Sequence, residues 1–115
     1  MKAREFIKLM MAGTNVTGMY CVSPRPECFG FIPGTGSLKV WGYYPYLITD
    51  VKIFATGSLF LYLKFVTLSK YNELIGELGT EHHGRTTRTK LKSRYEFFNS
   101  EEEAIAECNK RNTNS

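Results

Sequence analysis

The chain has 115 residues, 43% hydrophobic and 23% charged, with a formal net charge of +4. These fractions exclude a disordered chain, and the length suits one domain, residues 1–115, with a core of its own. The most apolar run, Leu59 to Leu68, is shorter than the roughly 20 residues of a membrane span and contains Lys64.

In chain order, Lys2 to Ala12 reads as a helix, with Phe6, Leu9 and Met10 on one face and Gly13 as its stop. Its Lys2, Arg4, Glu5 and Lys8 also break any signal-peptide core. Asn15-Val16-Thr17 matches a glycosylation signal and, without an export signal, reads as accidental. Strands follow around Met19 to Val22 and Cys28 to Ile32, with Pro33-Gly34-Thr35-Gly36 as a turn. Leu38 to Tyr44 alternates, placing Lys39, Trp41 and Tyr43 on one face. Leu47 to Ala55 is a strand with Leu47, Val51 and Ile53 facing together, and Thr56-Gly57-Ser58 connects it to a central strand, Leu59 to Leu68.

Ser69 and Gly79 bracket a middle helix carrying Tyr71, Leu74, Ile75 and Leu78. Thr80 to Thr87 is a polar loop. Lys90 to Phe98 alternates as a last strand, and Ser100 with Glu103 forms a capping box for a helix from Glu101 to Lys110. The expected fold is α+β: a mostly antiparallel sheet of about five or six strands with three helices, N-terminal, middle and C-terminal, covering one face.

Charge is unevenly placed. Between Thr80 and Arg94 stand five cations, Arg85, Arg88, Lys90, Lys92 and Arg94, and one anion, Glu81. The rest of the chain is neutral, so this segment carries the whole excess. On one strand, Arg88, Lys90, Lys92 and Arg94 would recur every ~6.7 Å on one face, a stripe suited to phosphates or to an acidic protein surface. The plainer reading is an edge strand protected from aggregation by its charges. The Lys39, Trp41 and Tyr43 face offers aromatics for stacking or for a protein interface, unless a helix covers it.

Other chemistry is thinly marked. His82 and His83 with Cys21 and Cys28 lack the close ligand spacing of a zinc site, so neither metal nor cofactor is expected. The odd number of cysteines, Cys108 being the third, points to reduced thiols and a cytoplasmic protein. No hydrolase triad or nucleotide fingerprint is present, and no motif identifies a family. The leading expectation is a small non-enzymatic binding or accessory protein, of the inhibitor type that viruses encode. It would meet nucleic acid or an acidic protein surface through residues 85–94, helped by Lys39, Trp41 and Tyr43. The alternative is an RNA- or DNA-binding nuclease using His82 or His83, beside Glu81 and Arg85, in acid–base cleavage. Open sheet edges leave homodimerisation possible.

Overall fold

The computed structural model describes residues 1–31, 39–66 and 86–113. Helix α1 (Ala3–Met11) turns Ala3 and Phe6 into the core, with Leu9 and Met10 packed beside them. Its end is a Schellman arrangement: the Gly13 N–H donates to the Met10 carbonyl (3.1 Å) and the Thr14 N–H to the Leu9 carbonyl (3.1 Å). Gly13 takes φ 85°, which explains glycine at that position.

Seven strands follow among the described residues: β1 (Tyr20–Val22), β2 (Glu27–Phe31), β3 (Lys39–Gly42), β4 (Pro45–Ile53), β5 (Leu59–Phe65), β6 (Thr86–Lys90) and β7 (Glu96–Phe98). Helix α2 (Glu101–Thr113) closes the described chain. Five strands form one antiparallel sheet in the order β6-β5-β4-β1-β7. β2 and β3 pair only with each other, so the expected single sheet of five or six strands stops at five. The middle helix expected between Ser69 and Gly79 lies outside the described residues.

Two further expectations are corrected. The strand expected over Lys90 to Phe98 is split, its halves belonging to opposite edges of the sheet. The helices also do not share a face. α1 covers a core of Cys21, Ile48, Leu61, Leu63 and Phe97, while α2 packs Ala104 and Cys108 on Val22 and Tyr44 on the other side. Alternation along β1 makes this two-sided packing possible, since Cys21 and Val22 face opposite ways and both are fully buried.

A bulge in β4 explains another difference. The register with β5 shifts between Ile48 and Asp50, leaving Thr49 as an extra residue whose hydroxyl donates to the Tyr62 carbonyl (3.0 Å). The shift puts Ile48, rather than Leu47, on the core face with Val51. Beyond it Ile53 is exposed at the hairpin end, where the Gly57 N–H closes the turn onto the Phe54 carbonyl (2.8 Å).

The sheet must curl. Four strand spacings separate flat edges by about 19 Å. Residues 91–95 join β6 to β7 across that span, and an extended link of this length reaches only ~20 Å. The link contains a turn, the Tyr95 N–H donating to the Lys92 carbonyl (3.2 Å), so its reach is shorter still. The edges are therefore drawn together around α1.

Under α2, burial pushes the Cys108 thiol up to about 12 from the usual 9.0, with Arg111 pulling it down and Glu107 adding to the rise. A group with a raised folded pKa loses its stabilising contribution as pH climbs through the interval, so stability should decline between about 9 and 12. Iodoacetamide at mildly alkaline pH should leave Cys108 unmodified in the folded protein and alkylate it in denaturant. Peptide mass spectrometry reads the site, and a modified Cys108 in the folded protein would contradict its burial.

Candidate anion-binding surface

The link between β6 and β7 builds the surface. The ladder persists one residue past β6, where the Leu91 N–H donates to the Leu59 carbonyl (2.9 Å). Leu91 packs against the core and Tyr95 is buried in it. With both ends of the link anchored inward, Lys92, Ser93 and Arg94 are held outward and exposed.

On one side of this turn lies an open groove of about 570 Å³ between α1, the β4–β5 hairpin turn and the link. Arg4 and Lys8 line it from α1, one helical turn apart, and Lys92 and the end of β6 at Lys90 line it from the link. Thr56, Ser58 and Ser93 bring hydroxyls, while Ile7, Leu59 and Leu91 supply aliphatic surface. On the other side a second groove, of about 500 Å³, is lined by Arg25, Lys92 and Arg94, together with Ser23, Pro24 and Tyr95. The two grooves share Lys92 and Ser93.

Six cations thus border adjoining grooves, and no carboxylate lines either among the described residues. The ion pairs among those residues lie elsewhere: Glu96 with Lys2 and Arg111, and Glu107 with Arg111. Concave surfaces lined by one sign of charge focus the field and draw in oppositely charged ligands. Lysine, arginine and hydroxyl donors there suit carboxylate, sulfate or phosphate oxygens.

The residues picked out from sequence divide. Lys90, Lys92 and Arg94 line the grooves, but as a strand end and a turn rather than as alternate positions on one strand. Arg88 departs from them, its guanidinium standing 5.0 Å over the Phe60 ring on the sheet. Arg85, Glu81, His82 and His83 lie outside the described residues. Lys39 and Trp41 belong to β3, paired through the backbone with Phe31 and Cys28.

Tyr43 is turned to α2 rather than presented for stacking. Its N–H donates to Asn112 Oδ1 (2.8 Å), its carbonyl accepts from Asn112 Nδ2 (3.1 Å), and the Arg111 guanidinium stands 5.4 Å over its ring. Cys21 and Cys108 sit in cores on opposite faces of the sheet and cannot share an ion. No cluster of three or more metal-binding side chains occurs among the described residues.

Sequence reasoning missed Arg4, Lys8, Arg25 and Ile7. The spacing of Arg4, Ile7 and Lys8 on one outer face of α1 was a readable signal, but nothing local shows which part of the sheet that face meets. No helix among the described residues is long and apolar enough to cross a membrane. No protein-family model, curated protein or solved structure matches the chain.

Proposed function

We propose that the protein is a small non-enzymatic binding domain that meets an anionic partner through the two grooves flanking Lys92 and Ser93. The observation that carries this reading is the gathering of Arg4, Lys8, Arg25, Lys90, Lys92 and Arg94 around them with no carboxylate in the described lining. Like charges brought together repel, and an anionic partner relieves that repulsion. The lining also combines charged donors with hydroxyls, a set that binds and orients anions. An accessory or inhibitor role, acting by occupying a partner's acidic surface, fits a domain of this size.

Net charge alone attracts polyanions, so the test must separate place from charge. Lys8→Glu, Lys90→Glu and Lys92→Glu together should abolish retention on immobilised polyglutamate. The same number of reversals away from the grooves, Lys52→Glu, Lys64→Glu and Lys110→Glu, gives the same net charge and should leave most retention intact. Equal losses from the two triple variants would show that net charge, not a site, governs binding.

A further inference from the structure

We infer that the groove between α1 and the β4–β5 hairpin takes an extended acidic peptide segment carrying an apolar anchor side chain, an inference that rests on the binding role proposed above. A phosphate backbone would be served by cations alone. This groove offers more: between the cations of its two walls lies aliphatic surface from Ile7, Leu59 and Leu91. Leu59 and Leu91 are half-buried flanks of the main core, but Ile7 belongs to neither core cluster.

Ile7 lies on an outward line of α1. Arg4, Ile7, Lys8 and Met11 follow the i, i+3, i+4, i+7 spacing of one helix face, and Met11 is 78% exposed. The apolar surface of α1 is therefore wider than its own core uses, and cations border the excess.

That combination suits an acidic peptide. Carboxylates pair with Arg4 and Lys8 on one wall and with Lys92 on the other. An aliphatic or aromatic side chain between them settles on Ile7 and Leu59. A volume of about 570 Å³ holds one or two such side chains rather than a whole helix. The anchor would contribute most of the specificity and the charges the encounter rate and orientation.

Fluorescence anisotropy on the full chain can test this with three labelled probes. They are an all-glutamate dodecapeptide, a glutamate dodecapeptide with leucine at every third position, and a single-stranded DNA oligonucleotide of matching charge. The leucine-bearing peptide should bind about tenfold more tightly than the all-glutamate one. Ile7→Asn should erase that preference, so that the two peptides bind alike, whereas Lys8→Glu with Lys92→Glu should weaken both peptides. Thermal melts check folding, and Ile7→Ala, a gentler truncation on a helix, should reduce the preference if Ile7→Asn fails to fold.

Equal affinity for the two peptides, a preference that survives loss of the Ile7 side chain, or tightest binding to the oligonucleotide would each overturn the inference. The last result would still leave an anion-binding surface standing. Failure of every probe to bind would remove both readings.

Discussion

Replacing Phe6 by alanine is expected to remove about 3–5 kcal/mol of stability. The side chain is 0% exposed and stacks on Phe97 with ring centroids 4.0 Å apart and planes 5° from parallel. That stack fastens α1 to β7, beside the backbone ties just ahead of the helix, where the Phe97 N–H donates to the Met1 carbonyl (2.8 Å) and the Met1 amine to the Phe97 carbonyl (2.7 Å). Natural domains hold only about 5–15 kcal/mol in reserve, so the variant should sit near the edge of folding. Circular dichroism should record a Tm lower by roughly 15 °C. A change of under about 1 kcal/mol would mean that the core closes around the cavity or that α1 is held by other contacts. Because α1 also supplies Arg4 and Lys8, the variant should lose polyanion retention with no charge altered.

The second large effect is expected at Arg111. Its Nη2 lies 2.9 Å from Glu96, its Nε 3.0 Å from Glu107, its Nη1 donates to the Ser23 carbonyl (3.1 Å), and the guanidinium stands over Tyr43. One side chain thus joins α2 to β7, to the end of β1 and to the residue after β3. Surface ion pairs contribute little in general, but this planar fork is half-buried and fully engaged.

Arg111→Met keeps the aliphatic stem and strands two half-buried carboxylates, of which only Glu96 retains a second partner, Lys2 at 3.7 Å. A loss of about 2–3 kcal/mol should follow, read as a lower urea midpoint at unchanged slope. Arg111→Lys should recover only a small part of it, because a point charge cannot reach three acceptors in one plane. A lysine variant as stable as the parent would reduce the network to simple charge pairing.

Much of the scaffold was legible in residue order because its signals are local. Gly13 and Ser100 mark helix boundaries by backbone chemistry, and both act as read: Gly13 ends α1 at positive φ, and the Ser100 hydroxyl accepts the Glu103 N–H (3.2 Å). Apolar spacing likewise found the inner face of α1. What escaped depended on distant partners. Thr49 looks like any strand residue, yet as a bulge it exchanges Leu47 for Ile48 in the core. Alternation of Leu91, Tyr95 and Phe97 suggested one strand, but two inward residues flanking a turn give the same pattern.

The basic residues were therefore found on a mistaken geometry, and half of the surface was not found at all. Lys90, Lys92 and Arg94 stood out as a local excess of charge. Arg4, Lys8 and Arg25 lie far from that segment in sequence and matter only because the curled sheet brings them alongside. α2 also runs beyond the expected Lys110 to Thr113, since Arg111 and Asn112 are tied to partners far along the chain.

The short passage from β6 to β7 has a consequence for how the molecule assembles. These neighbours in sequence are the most distant strands in the sheet, and β7 finds its place by pairing with β1, as Phe98 does with Tyr20, and by the bridge of Glu96 to Lys2, all near the other end of the chain. Pairings of such long sequence separation carry a large loop-closure entropy and slow folding. Until that pairing forms, residues 91–95 have no second anchor, and Lys92 and Arg94 are ordinary charges on a loose chain. The surface is in effect an assay of completed folding: a half-assembled chain carries every cation but not the grooves.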